Sequence, residues 1–391
     1  MMPPLGAATN VQGWHSMSHL RNATASAGGP HSTEQDVFRS SPYGGDKVWR
    51  QRYFREILAT LTRHHYENCS YYRNILVAIG FDPTLDADLS DLPFLPVGLF
   101  KQLDLVSVSA PQVSRILSSS GTRGAARSRV FLDRETSILQ MRALATIVGS
   151  FVVEGRLPVL IIDASRVPDD EGGYAARAVA IQGFSLFGGG RIAFALTEKM
   201  QPDLEKIEEF LKDLGAASFL MFGFTYVIWR HLLEHLAKNN VRLDFTKAVL
   251  IHGGGWKRLT DEHITDDVFK RRARERTGLT RIHNYYGMVE QPGSIYMQCE
   301  HGFMHCSNFS QILIRRVGDL SVANLGEPGL IQTLSILPRS YPGHNLLTED
   351  MGILHGEDDC RCGRKGKYFE ILGRLPAAEP RGCGDTYVSA R

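Results

Sequence analysis

Three stretches of this chain carry the residue types that hold a nucleotide. The first is Leu117-Ser118-Ser119-Ser120-Gly121-Thr122-Arg123-Gly124. Gly121 and Gly124 let backbone N–H groups approach phosphate oxygens, while Ser119, Ser120 and Thr122 add hydroxyl donors. No Gly-Lys-Ser/Thr follows, so this is not a Walker loop. The second stretch, Ile251-His252-Gly253-Gly254-Gly255-Trp256, closes a strongly apolar run. Its glycines offer flat backbone for an aromatic ring, at the strand end where open α/β sheets bind ligands. The third is Asn284-Tyr285-Tyr286-Gly287-Met288-Val289-Glu290. Tyr286 can stack on a base, and Glu290 can hold a Mg²⁺ that bridges phosphates. Taken singly, each stretch reads equally well as an ordinary turn or strand end.

The six cysteines suggest a second kind of chemistry. They are Cys69, Cys299, Cys306, Cys360, Cys362 and Cys383, and five of them crowd the last part of the chain. A stabilising disulfide set would be spread more evenly, so the clustering points to metal or catalysis. Cys299-x-His301-x3-His305-Cys306 and Cys360-x-Cys362 can close a tetrahedral zinc site. The expected ligands are Cys299, Cys360, Cys362 and either His301 or His305. Four protein ligands leave no open position, so such a zinc would be structural. Reduced thiols packed beneath a loop are the competing reading.

The elements that must position these residues follow from periodicity. Trp49, Tyr53, Ile57, Leu58 and Leu61 recur at helical spacing. Strands are expected at Arg115–Leu117, Val159–Asp163, Ile192–Leu196, Ser218–Phe222, Ala248–His252 and Arg281–Tyr285. Helices are expected at Glu135–Val148, Tyr174–Phe184, Asp203–Leu214, Tyr226–Lys238 and Asp261–Arg276. This alternation implies an α/β fold with a mainly parallel sheet covered on both faces. Beyond residue 290 short runs at Ile312–Arg315, Leu330–Leu334 and Gly352–His355, parted by Gly and Pro turns, suggest an antiparallel β-rich subdomain. Phe219, Phe222, Phe224 and Trp256 are expected to line an apolar substrate pocket.

The length of 391 residues allows two or three domains, and 43% apolar residues can build their cores. Lys and Arg number 44 against 42 Asp and Glu, a net charge of +2 that gives no drive toward nucleic acid or an anionic membrane. No apolar run is long enough to span a bilayer. The N-terminus lacks the charged start and apolar run of a secretory signal, so a cytoplasmic protein is expected. Residues 1–44, rich in Gly, Ser, Ala and Pro, read as a disordered tail. Residues 45–310 read as the α/β core, 311–372 as the β subdomain and 373–391 as a short C-terminal segment.

The three nucleotide-type stretches, in this order, resemble the adenylate-forming superfamily of acyl-CoA synthetases, peptide-synthetase adenylation domains and firefly-type luciferases. That resemblance extends to Asp350 in Leu347-Thr348-Glu349-Asp350, which matches a ribose-binding Asp. It also extends to Gly373-Arg374, which matches the Gly-Arg hinge. A narrower resemblance, over roughly 45–391, is to the acyl-protein synthetases of bacterial luminescence, the LuxE type. It rests on Ser119–Gly124 with Phe131-Leu132-Asp133-Arg134-Glu135-Thr136, on Gln298-Cys299-Glu300-His301-Gly302, and on Gly356-Glu357-Asp358-Asp359-Cys360 through Gly382-Cys383-Gly384-Asp385-Thr386-Tyr387. Arg123 departs from the family's usual second Ser or Thr.

The resemblance implies an adenylate-forming large domain with a β-rich subdomain and an absent or vestigial C-terminal lid. It implies ATP and Mg²⁺, a carboxylic acid substrate, and an acyl-adenylate intermediate. Ser119, Ser120, Gly121, Thr122, Gly124, Gly253, Gly254, Tyr286, Gly287, Met288 and Asp350 would bind the nucleotide, with Glu290 and Arg374 assisting catalysis. Cys383 matches the cysteine that takes the acyl group as a thioester for a partner acyl reductase of the LuxC type. Arg381 beside it would favour the thiolate. The related phenylacetate-CoA ligases also pair a Cys/His segment with a Cys-x-Cys-Gly-Arg run. A ligase of that type would carry a lid with a catalytic lysine, but the sequence ends shortly after Arg374. A degenerate nucleotide-binding scaffold is the remaining alternative.

Overall fold

Runs rich in Val, Ile, Leu and Phe become buried strands, and a small polar side chain opens most of the helices between them. In this computed structural model residues 34–119, 127–152, 157–165, 174–254, 259 and 264–375 are described. The chain begins with helices α1 (Glu34–Arg39), α2 (Lys47–Asn68) and α3 (Ser70–Ala78) and the short β1 (Leu95–Pro96). β2 (Arg115–Ser118), β3 (Arg129–Leu132) and α4 (Arg134–Gly149) follow. The alternating region then runs β4 (Val159–Ala164), β5 (Tyr174–Ala175), α5 (Ala176–Ser185), β6 (Ile192–Leu196), α6 (Leu204–Leu214) and β7 (Phe219–Phe224). It continues with α7 (225–238), β8 (Ala248–Gly253), α8 (Asp266–Thr277) and β9 (Arg281–Tyr286). Among the described residues only strands come after: β10 (Tyr296–Gln298), β11 (Met304–His305), β12 (Ser310–Arg315), β13 (Pro328–Ser335), β14 (Asn345–Glu357) and β15 (Lys367–Arg374).

Helix starts are set by capping. Asp46, Asp133, Asp203 and Thr265 each accept a hydrogen bond from a backbone N–H of the first turn. Thr265 therefore starts α8 at Asp266 rather than at the expected Asp261, and Gly278, at φ 70°, ends it. α7 carries a π-helical turn at Ile228–Leu233. No helix among the described residues is long and apolar enough to cross a membrane.

One sheet runs through the molecule in the order β12-β13-β14-β15-β11-β10-β9-β8-β7-β4-β6, with β1 beside β14. β6, β4, β7, β8 and β9 are parallel, and from β9 onward the pairs along that path are antiparallel. The β-rich part expected over 311–372 is thus hydrogen-bonded to the parallel part through β10, β11 and β15. β10 and β11 lie inside the range expected for the α/β core. β2, β3 and β5 form a separate small sheet.

Strand alternation divides the core. On β7, Leu220, Phe222 and Phe224 pack with Ile147, Ile181 and Phe184 on one face. Phe219 and Met221 face Phe210, Trp229 and Phe269 on the other. Phe219 therefore does not share a surface with Phe222 and Phe224, contrary to the apolar pocket expected from sequence.

The tail expected through residue 44 gives way to structure earlier. Glu34–Arg39 is helical, and Val37 and Tyr43 are buried. Pro42 and Tyr43 accept backbone hydrogen bonds from Asn308 (2.7 Å) and Lys365 (3.0 Å). Arg50, only 2% exposed, reaches Asp358 at 2.5 Å and Glu357 at 3.4 Å. The same helix buries His65 against Ser107 and His344.

Candidate active site

The first nucleotide stretch is the connection of a β-hairpin. β2 pairs antiparallel with β3, Ser118 opposite Arg129. Beyond the ladder the Ser119 N–H donates to the Ser128 carbonyl (3.1 Å), and the Ser128 N–H donates to Ser119 Oγ (3.0 Å). The neck is thereby closed on both sides. Ser120, Gly121, Thr122 and Gly124, like Gly255 and Trp256, lie outside the described residues.

β8 and β9 deliver the other two stretches to one edge of the sheet. They are parallel, with His252 opposite Asn284. Gly253 packs so tightly on its neighbour that a Cβ would sit 2.6 Å from the Tyr285 carbonyl oxygen and 2.7 Å from its ring. Gly254 follows at φ 72°, in the left-handed region. At the end of β9 the Tyr286 hydroxyl donates to Asp350 Oδ2 at 2.7 Å. Arg374, directly opposite Asp350 in the β14–β15 ladder, places Nε 3.3 Å from Oδ1. Burial, followed by the Asp350 charge, pushes the Tyr286 phenol well above its ordinary range. Tyr286, Asp350 and Arg374, the last two named only by family resemblance, are therefore one hydrogen-bonded group. Gly287 and Met288 continue from it, and Gly287 packs close to Ile295.

Glu290 lies a few residues on and is 5% exposed. Burial raises its carboxyl above the usual value, while Ser128 and Arg374 pull it back. Ser128 belongs to the neck of the first loop, so Glu290 stands between that loop and Arg374. Its backbone is fixed by Tyr341, whose hydroxyl donates to the Glu290 carbonyl at 2.9 Å and accepts from Gln140 at 3.3 Å. Sequence reasoning missed Tyr341, since only the fold brings it beside Glu290. It also missed the buried pair at the carboxyl end of β4, where Arg177 Nε donates to Asp163 Oδ2 at 2.8 Å.

The metal-type residues assemble elsewhere. Ligand atoms of Cys299, His305, Cys360 and Cys362 all lie within 4.8 Å of one another. In a tetrahedral zinc site with Zn–S near 2.3 Å, ligand atoms are about 3.8 Å apart. Cys362 Sγ lies 3.3 Å from His305 Nε2. His305 is fully buried on β11 and is held neutral, near 4, by burial and by Arg364. A neutral imidazole is the ligating form, and three thiols complete the donor set. His301 is exposed on the turn before β11 and stands outside the group, whereas His305 lies within it. Arg364 lies 4.1 Å over the Phe151 ring and pairs with Glu300 at 3.0 Å, which puts a cation beside Cys362. Cys383 and Arg381 lie outside the described residues.

A half-parallel, half-antiparallel sheet with β8 and β9 beside its junction is the fold of the adenylate-forming ligases. The fold matches 2-hydroxyisobutyryl-CoA ligase in complex with 2-HIB-AMP and CoA at a TM-score of 0.67 and 15% identity, covering 84% of this chain and 71% of that one. The postadenylation state of the same enzyme matches at 0.66, covering 84% and 68%. Within this class, the chain belongs to the family described as acyl-protein synthetase, LuxE, whose profile matches residues 25–390. It is 24% identical over 369 residues to the long-chain-fatty-acid–luciferin-component ligase of Vibrio harveyi, covering 90% of this chain and 92% of the relative. The Aliivibrio fischeri protein of that name is 22% identical over 364 residues, covering 89% and 91%. The chain is accordingly a ligase with the fold of enzymes that activate acids as acyl-adenylates.

Proposed function

We propose that this chain activates an apolar carboxylic acid with ATP and then carries the acyl group on Cys383. The observation that supports this most is the Tyr286–Asp350–Arg374 group beside Gly253, Gly254 and Glu290, in a chain of the acyl-protein synthetase family. Asp350 accepts from the ribose hydroxyls. Tyr286 and the Gly253–Gly254 backbone take the adenine. Ser119 to Gly124 donate to the phosphates. Glu290 holds Mg²⁺, which when bound neutralises charge on the departing pyrophosphate. The substrate carboxylate oxygen attacks the α-phosphorus and the bond to pyrophosphate breaks. The Cys383 thiolate then attacks the acyl carbon, forming the thioester and releasing AMP.

The curated relatives are ligases of long-chain fatty acids. An apolar acid therefore fits this reading, in which it would lie toward the Phe222 and Phe224 face of β7. A cytoplasmic acyl reductase of the LuxC type would accept the thioester and release the aldehyde. Cys299, His305, Cys360 and Cys362 hold a structural zinc in this reading.

The test is intact mass after incubation with ATP, Mg²⁺ and a panel of acids. An acyl adduct that hydroxylamine removes, and that is absent in Cys383→Ser, is expected. Acyl-CoA formed from added CoA without any adduct would sink self-acylation and favour a CoA ligase. No pyrophosphate release with any acid would leave only a nucleotide-binding scaffold.

A further inference from the structure

Adenylation has no use for the thiol cluster as such, yet the cluster and the Asp350–Arg374 pair stand at opposite ends of the β14–β15 ladder. β14 and β15 pair from Asp350↔Arg374 to Glu357↔Lys367, and the turn beyond Glu357 carries Cys360 and Cys362. Along β14 the seven steps from Asp350 to Glu357 span about 23 Å, and the turn with Cys360 lies beyond. This ladder is irregular, with register shifts between Met351 and Gly352 and between Leu354 and Gly356. Over this stretch neither strand buries one whole face, and Gly352, Gly356 and Gly373 interrupt it. Such strands specify their register weakly, and a slip of one residue turns every side chain to the other face. Asp350 would then face away from Tyr286.

The cluster counters that slip. Cys299 and His305 lie on and beside the β10–β11 hairpin, which meets β15 through the short ladder Met304↔Phe369 and His305↔Tyr368 and a hydrogen bond from the Cys306 N–H to the Lys367 carbonyl (2.9 Å). β10 in turn pairs with β9 through Tyr296↔Tyr286. Both members of the Tyr286–Asp350 bond therefore depend on strands that the cluster joins.

We propose that zinc at Cys299, His305, Cys360 and Cys362 fixes the register of β14–β15 against β9–β11, and so controls the affinity of the nucleotide site. This rests on the zinc reading above. Loss of the ion loosens the hairpin, frees Asp350 from Tyr286, and lowers the affinity for ATP without unfolding the rest of the sheet. The hairpin is the element whose equilibrium both sites bias.

The full chain should be assayed for zinc, stripped with a chelator, and reloaded. ATP affinity is expected to fall on the order of tenfold on stripping and to return with zinc. Hydrogen exchange of residues 350–354 and 371–374 should rise in the stripped protein, while far-ultraviolet circular dichroism stays unchanged. If the stripped chain unfolds, Cys362→Asp supplies an oxygen ligand that weakens the site, and ATP affinity should track zinc occupancy across a titration. A chain that takes up no zinc overturns the metal reading and the coupling with it. A chain that binds zinc, yet holds ATP equally well and exchanges equally slowly without it, overturns the coupling alone.

Discussion

The two halves of the large sheet are held together by different means. The parallel half, β4 and β6 to β9, lies between two apolar clusters, and β4, β7 and β8 are buried along their whole length. The antiparallel half has a smaller apolar cluster, around Tyr296, Ile312, Ile331 and Phe369, and adds polar contacts between distant residues: Gln332 to Arg315 and Asn345, Ser294 to Ser335, and Gln291 to the Gly343 carbonyl. Apolar burial is tolerant of shape and yields a stiff platform, whereas polar networks fix orientation. The parallel half thus brings the glycine loops to one edge. The antiparallel half supplies Asp350 and Arg374 in fixed register with them.

That division can be broken most forcefully at the junction. Glu290→Gln should keep the fold yet lower ATP–pyrophosphate exchange by roughly 10²–10³-fold, the scale for losing one group that stabilises developing charge. Asp350→Asn should weaken ATP binding on the order of tenfold while the melting temperature holds, as expected when a hydrogen-bonding carboxylate is lost. Equal loss of melting temperature in either variant would make these residues structural.

The two faces of the platform give a sharper contrast. Phe222→Ala and Phe219→Ala should each cost about 3–5 kcal/mol of stability in chemical denaturation. Only Phe222→Ala should change which acid is preferred in a competition assay. A matching change in Phe219→Ala would refute the assignment of faces.

Acid should loosen the antiparallel half. His344 is held near 3 by burial, below its ordinary 6.5, and His65 is likewise held well below 6.5. Below pH 6.5 the unfolded chain binds protons that these folded imidazoles refuse, so stability present above that pH is lost as pH falls toward 3. The loss should be about 1 kcal/mol per histidine between pH 6.5 and 5.5. His344→Gln should flatten the pH dependence of the melting temperature. At the small end of the scale, His301→Ala should leave zinc content unchanged, whereas His305→Ala should abolish it.

The parallel half was legible in the sequence because fully buried strands leave uninterrupted apolar runs. Ile192–Leu196 appears at its expected bounds, and the other strands shift by only a residue or two. The antiparallel half was read less well. β10 and β11 are too short to show a period, and β15 mixes charged and apolar residues because its faces differ in exposure. The Tyr286–Asp350 bond spans 64 positions, and no local pattern encodes it. Family resemblance named Asp350 but not its bond to Tyr286. The choice of His305 over His301 likewise depends on the pairing of β11 with β15, which spacing does not specify.

The contact of Arg50 with Asp358 has a consequence for how the chain is made. Helix α2 leaves the ribosome early, but its buried guanidinium meets Asp358 only 308 residues later. At 5–20 residues per second that interval is roughly 15–60 s. Throughout it the Arg50 guanidinium lacks its Asp358 partner, so the tie between α2 and the turn after β14 forms long after α2 itself is made.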